Sequence, residues 1–515
     1  MKTLTLDLEE YSESESKIFD LCIIGSGPAG LSLASKFIGT NINVAILESG
    51  ITGLSKRHDQ LNEAQSIGER EIDSMNSRSR RYGGAMQLWA GTSAPFSEIE
   101  LLDRKEIGIS GWPVTWEELV PFYKEAAELL DVSWNLFFRP YQEFKTQMSD
   151  AFPNLIGKTL RFNNYFQAKN IDLTMSLDKK FSKASNISIF TNATVVDFEF
   201  EQGKLTQAIT KTINGRKVKL SAKYFVLCNG ALEATRLLLT SKLFVNNLPN
   251  HLGKNFMSHP SFTDLAYVHF KRNERKWVNK TKLHTKVDFE LNFAEQNLKK
   301  VLRHNIHMSP SYEKNQNLVL ESSRINKEFN KFDANKPQFN SLLLRLWDIF
   351  CRVLGKRAWT NTWNVSIGIE QEPIETRSLS LSDERDELGI NKLKLDGGEI
   401  SQLEKRTISA ALSGLDKALR ENNVGELVLS DNYLSGSYLS RQDAINHHIG
   451  TIKMGSSCTD GVVDNNLKVF EYDNLYVCSS AVFPTSSNAN PTFTIVALSL
   501  RLGNMLKKAL QNIIN

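Results

Sequence analysis

The feature that most constrains this chain is a glycine-rich turn near its start, Gly25-Ser26-Gly27-Pro28-Ala29-Gly30. An apolar run, Leu21–Ile24, leads into it and a helical-period stretch, Leu31–Phe37, leads out. A second apolar run, Val44–Leu47, follows. Strand, tight turn, helix and strand in this order make a βαβ unit that opens a doubly wound sheet. Each glycine has a separate job: Gly25 permits the turn, Gly27 lets backbone approach a pyrophosphate, and Gly30 lets the helix pack against the strand. The helix start offers unpaired N–H groups to phosphate oxygens. Glu48 closes the next strand, where a carboxylate accepts hydrogen bonds from ribose hydroxyls and repels a 2′-phosphate. Dinucleotide binding follows, but FAD and NAD sites share this fingerprint.

Length requires more than one core. At 515 residues, a single hydrophobic core does not serve the whole chain. Residues 51–81 are polar and aperiodic and read as a connecting excursion. Trp112–Val132 reads as a helix, because Thr115 and Glu118 form a capping box and Leu119, Phe122, Tyr123, Ala126 and Leu129 share a face. Residues 188–228 alternate as strands, with turns at Gly203 and Asn214-Gly215. Strand-like stretches recur at Val365–Glu370 and Ser378–Leu381, and a polar insert separates 295 from 340. The expected division is a cofactor domain in three segments (18–110, 188–262 and 445–515), a helical insertion at 111–187 and a substrate domain at 263–444.

Charge and cysteine usage exclude several classes. The net charge of +4 is spread thinly, which gives no case for a nucleic-acid partner. Five separated cysteines without a CxxC pair argue against a disulfide framework and a zinc site, so no metal is expected. The acidic N-terminus has no apolar signal core and no run is long enough to span a bilayer, so the expected location is cytoplasmic. Ser341–Gly355 has helical apolar spacing and reads as a packed helix or lid, with a membrane or partner contact as the alternative.

Further motifs carry a resemblance. Tyr82-Gly83-Gly84 precedes Leu88-Trp89-Ala90-Gly91, and Ser110-Gly111-Trp112-Pro113 opens the capped helix. Asn229-Gly230-Ala231-Leu232-Glu233 runs on into Leu239, and Gly253–Pro260 follows. The C-terminal part has His447-His448-Ile449-Gly450-Thr451, Phe483-Pro484-Thr485 and Asn490-Pro491-Thr492. In order and spacing this set resembles the glucose–methanol–choline (GMC) oxidoreductases, from about Asp20 to Leu506. The resemblance implies FAD as cofactor and oxidation of an alcohol. It implies an α/β fold, α+β overall: a doubly wound FAD domain and a discontinuous substrate domain of antiparallel sheet covered by helices. By carry-over His447 is the catalytic histidine and Asn490 its partner, with His448 a weaker candidate. The same matching puts Gly25, Gly27, Pro28, Ala29, Gly30, Glu48, Gly83, Gly84, Trp89, Gly91, Val195, Gly230, Ala481, Pro491 and Thr492 at the cofactor. Two departures stand out. Leu88 occupies the position where some members attach flavin through histidine, which implies non-covalent FAD. Ser479-Ser480 replaces an acidic residue found in many members.

These residue types suit the chemistry. Alcohol oxidation removes a hydroxyl proton and a carbon-bound hydride; flavin N5 accepts the hydride and a neutral histidine the proton. Asn490 can orient the oxygen with its amide. His259 reads as support for the flavin domain, Arg78, Arg80 and Arg81 as a solvated loop or as phosphate contacts, and Gln371-Glu372-Pro373 as a strand-end turn. The substrate expected is a sugar, a glycoside or another polyhydroxylated metabolite, with oxygen or another electron acceptor as the second partner. A lyase holding a non-cycling FAD, and a catalytically silent flavin-binding protein, are the rival readings.

Overall fold

Strand Phe19–Ile24 is buried at all six residues and lies in the middle of the largest sheet. Val44–Leu47 pairs with it on one side and Lys217–Leu227 on the other, both parallel. Ile187–Thr191 and Thr5–Asp7 extend the first side, and Leu475–Val477 adds to the second. Chain order therefore reverses across the strand that leads into Gly25, and open α/β sheets form their ligand crevice at such a switch point. Beyond the parallel part, Lys217–Leu227, Lys204–Lys211 and Thr194–Glu201 form an antiparallel meander. The computed structural model describes residues 5–11, 18–68, 72–138, 159–244, 248–271, 287–311, 362–439 and 446–514.

A second, six-stranded sheet is antiparallel throughout. Its order is Gly425–Leu429, Ser261–Phe270, Thr362–Ile369, His304–Pro310, Val287–Leu291 and Leu160–Asn164. Thr362–Ile369 alternates buried and half-buried residues along its length, the pattern of a strand with one face on a core. Helix Gln402–Glu421 covers that face with Ile408, Ala411, Leu412, Leu415 and Leu419. Ser401 and Glu404 form its capping box, and Glu404 also pairs with the fully buried Arg377. A third sheet joins Ser378–Arg385, Asn391–Asp396 and Ala64–Ile67.

Three elements differ from the sequence reading, each for a physical reason. The segment 51–81 is not a mere excursion, since Ala64–Ile67 pairs in parallel with Asn391–Asp396 and Leu61, Ile72 and Arg80 are buried. The polar insert beginning at 295 contains strand His304–Pro310. Its polarity hid it: buried His304 accepts the Leu291 N–H at 3.0 Å and donates to the Leu302 carbonyl at 3.0 Å, so a core position tolerates an imidazole. Leu160–Asn164 lies in the antiparallel sheet although the surrounding segment read as helical. The capped helix runs Trp116–Leu129 with its capping box in place. Ser341–Gly355 lies outside the described residues. No helix among the described residues is long and apolar enough to cross a membrane.

Helix Thr492–Ile514 packs on Pro28–Ser35 and on Trp116–Leu129. Tyr123 stacks on Phe493 at 5.5 Å and its hydroxyl meets Thr494 at 2.9 Å. The C-terminal helix is thereby fixed to the turn that opens the chain. Ahead of it, loop Ser486–Asn490 is tied to the second sheet, with the Asn488 amide donating to the His304 carbonyl at 2.9 Å.

Candidate active site

A cleft of about 600 Å³ lies at the switch point, within the usual range for small-molecule sites. Three helices begin on its wall: Pro28–Ser35, Gly230–Thr240 and Thr492–Ile514. Each brings unpaired N–H groups and the positive end of a helix dipole to the same space, an arrangement suited to anionic oxygens.

The glycine turn is built as its spacing requires. A Cβ on Gly30 would stand 1.9 Å from the Gly25 carbonyl oxygen, whereas one on Gly27 would meet nothing within 4 Å. Helix thus touches strand at Gly30, and Gly27 leaves room for a ligand. Gly84, with φ +58, packs on this turn, and a Cβ there would approach Gly27 Cα to 3.0 Å. Glu48 lines the cleft and accepts from Ser26 Oγ at 2.6 Å, Ser26 N at 3.1 Å and Gly50 N at 2.8 Å. Burial pushes its carboxyl up, against these hydrogen bonds. Asn62 Nδ2, Asn229 Oδ1 and His448 Nε2 are buried on lining residues without a protein partner. This unmet hydrogen-bonding capacity fits a polar ligand spread along the cleft.

The arginine run is not a solvated loop. Arg78 and Arg80 line the cleft and reach Glu233 at 2.6 Å each, and Arg236 reaches Asp386 at 2.6 Å and Glu233 at 3.6 Å. Three guanidiniums share two carboxylates. Burial alone would raise the Glu233 carboxyl, but Arg80, Arg236 and Arg78 hold it well below the carboxylate range. Burial lowers Arg78 to about 10. Arg81 does not line the cleft, and its Nε is buried without a partner.

His447, His448 and Asn490 line the same cleft. The Asn490 amide nitrogen donates to the Thr92 carbonyl at 2.9 Å. A carbonyl only accepts, so this contact fixes which way the amide faces and leaves one N–H and Oδ1 for other partners. His447 Nδ1 is 2.8 Å from His259 Nδ1, and His259 Nε2 is 2.9 Å from the Ser486 carbonyl oxygen. The Ser486 oxygen requires a proton on His259 Nε2, so His259 Nδ1 is bare and accepts from His447 Nδ1–H. His447 Nε2 is then unprotonated. Burial, with His259 and His448 beside it, lowers His447 to about 3. His448 stacks on Phe256 at 6.1 Å and is lowered to about 3, by burial first and Arg78 second.

The structure brings most of the expected residues together. Gly25, Gly27, Pro28, Ala29, Glu48, Gly84, Trp89, Val195, Gly230, His447, Asn490, Pro491 and Thr492 all line the cleft. Gly30, Gly83, Gly91 and Ala481 do not line it and act from behind. The Gly83 N–H donates to Ser26 Oγ at 3.2 Å, Gly91 at φ +78 turns against Ile171, and buried Ala481 accepts from Ile452 N at 3.0 Å. Ser479 and Ser480 line the cleft, but Ser480 Oγ donates to the His448 carbonyl at 2.6 Å. Gln371 is more than a turn: buried, it accepts the Ser258 N–H at 2.7 Å and donates its own N–H to Ser486 Oγ at 2.9 Å, just behind His259. Sequence reasoning missed Thr92 and Asp386, named Asn229 and Arg236 only as parts of a motif, and underrated His259. Its only signal was its place in Gly253–Pro260.

Residues 399–499 match the family model described as GMC oxidoreductase. A 2-methyl-1,2-propanediol dehydrogenase of Mycolicibacterium austroafricanum is 20% identical, with 96% of each chain covered. A long-chain-alcohol oxidase of Arabidopsis thaliana is 33% identical over 12% of this chain and 9% of its own. Among solved structures, the Aspergillus oryzae RIB40 formate oxidase superposes with a TM-score of 0.57 at 15% identity, covering 97% of this chain and all of that one. An FAD-dependent oxidoreductase from Chaetomium thermophilum gives 0.56 at 14% identity, covering 96% of this chain and all of that one.

Proposed function

We propose that the chain is a GMC oxidoreductase, an FAD-dependent enzyme of alcohol oxidation, in which His447 takes the hydroxyl proton while Asn490 holds the alcohol oxygen. The observation that carries this assignment is the hydrogen-bond chain ending at Ser486. It leaves His447 with an unprotonated Nε2 on a residue that lines the cleft. The helix start after Gly27, the start of Gly230–Thr240 and Glu48 are placed to hold the dinucleotide. When bound, FAD supplies the hydride acceptor that protein side chains lack.

The chain's own residues do the rest. His447 Nε2 accepts the hydroxyl proton, and the O–H electron pair remains on the oxygen to form the carbonyl as hydride leaves carbon. Asn490, anchored through Thr92, offers its second N–H to the developing negative charge on that oxygen. The polyhydroxylated substrate class fits the relative that spans 96% of the chain, itself a diol dehydrogenase. Leu88 offers no nucleophile to the flavin, so FAD is held by contacts alone.

The test is an anaerobic titration of purified holoprotein with sugars, glycosides and vicinal diols, following flavin absorbance. Bleaching by a member of this panel is the expected result. If only simple alcohols bleach the flavin, the polyhydroxylated substrate is wrong. If no alcohol does, the oxidation reading gives way to that of a lyase with a non-cycling FAD. Acid precipitation of the same sample should release yellow flavin into the supernatant, and flavin kept in the pellet would show a covalent link.

A further inference from the structure

We propose that His259 is a positioning residue that takes the Nδ1 proton of His447 when the alcohol proton reaches Nε2, so that the positive charge of the reaction comes to rest on His259. The inference rests on the assignment of His447 as base. Its first support is geometric. The segments carrying the two histidines pair as antiparallel backbone, with Met257 and Ile449 exchanging N–H···O bonds of 2.9 Å each. That register sets His259, two residues after Met257, opposite His447, two residues before Ile449. The imidazoles meet at 2.8 Å. Backbone ladder, not chance side-chain placement, delivers the contact.

The second support is electrostatic. His447 has no carboxylate among its influences; His259 and His448 both disfavour charge on it. His259 is partly buried, and desolvation lowers it, but the Ser486 and Ser487 backbone and the carboxylates Glu370 and Glu100 favour its charged form. Those carboxylates belong to a buried network. Glu370 holds Arg104 through two contacts of 2.6 Å, and Arg303 lies 3.0 Å from Glu100 and 2.9 Å from Glu290. Arg78 disfavours and Asp73 favours charge on His448, the neighbour of His447 in sequence. The field across the two imidazoles therefore draws positive charge from His447 toward His259.

The proton count closes. The hydroxyl proton bonds to His447 Nε2, the Nδ1–H of His447 passes to His259 Nδ1, and His259 keeps the Nε2–H that it donates to Ser486. His447 ends neutral in the opposite tautomer and His259 ends as imidazolium. A base with depressed proton affinity is a poor acceptor by itself. Sharing the proton with a neighbour that sees carboxylates raises its effective basicity.

Two variants separate the roles. In His259→Asn the side-chain oxygen can still accept from His447 Nδ1–H but cannot hold a proton; in His259→Phe both functions are gone. With flavin retained, His259→Asn should slow anaerobic flavin reduction at least tenfold and move the acid limb of its pH profile downward, and His259→Phe should slow it a hundredfold or more. Less than tenfold slowing in His259→Asn, or an unmoved acid limb, overturns the relay. Histidine ¹⁵N spectra of the wild-type holoenzyme supply a reading independent of any variant's folding: Nδ1 of His447 should carry the proton, and a bare Nδ1 overturns the proposal. His447→Ala in the same assay tests the underlying assignment. If it reduces flavin normally, the base is wrong; if it is slow while His259→Asn is normal, only the relay fails.

Discussion

His447 and Gly30 show how differently single side chains enter this enzyme. Replacing His447 by Ala removes the proposed base without removing any contact to the glycine turn. His447→Ala should purify with FAD, and stopped-flow flavin reduction should be at least about two orders of magnitude slower, the scale of general-base catalysis. Gly30→Ala acts on binding instead. Its Cβ would stand 1.9 Å from a backbone oxygen that cannot move without moving the strand, so helix Pro28–Ser35 must lift from the sheet. The variant should emerge colourless, with little FAD in its absorbance spectrum. The close packing at Gly30 was legible through a local motif, and the place of His447 in the cleft through the ordered C-terminal pattern. The role of His259 was not, because it depends on a register between segments 188 residues apart that no periodicity records.

At the level of elements, helix Gly230–Thr240 does two jobs: its first turn faces the cleft, and its Glu233 neutralises Arg78 and Arg80 from the loop before Gly83. Glu233→Gln leaves three buried guanidiniums with Asp386 as their remaining carboxylate in the cluster. Breaking a buried pair in this way costs about 3–5 kcal/mol, and urea unfolding of the holoprotein should show a loss on that scale. The arginine run reads as a solvated loop because its counter-charge lies 155 residues further along the chain. The capped helix and the apolar strands read correctly because their signals are local. Strand His304–Pro310 escaped because its buried polar residues are satisfied by partners outside the strand.

Across the whole molecule, desolvated histidines set the response to acid. His259, His304, His447 and His448 are all lowered, with burial the first cause in each. Such groups bind protons more readily once unfolded, so their contribution to stability is complete above about pH 6.5 and is lost as pH falls toward the folded values. Each adds a slope approaching about 1.4 kcal/mol per pH unit in that window. Glu233 and Glu100, both held low, add a second loss below about pH 4.5. Thermal unfolding should thus show a Tm that starts to decline below pH 6.5 and falls more steeply in stronger acid; a Tm level down to pH 5 would contradict this account.

The cleft draws its walls from both ends of the chain, with the glycine turn at Gly25 and the helix start at Thr492. This arrangement bears on how the enzyme is made. At 5–20 residues per second, synthesis separates the two by roughly 20–90 s. During that interval the wall that begins at Thr492 is missing from the nascent polypeptide. A cleft complete enough to hold FAD therefore exists only once the last helix has been made.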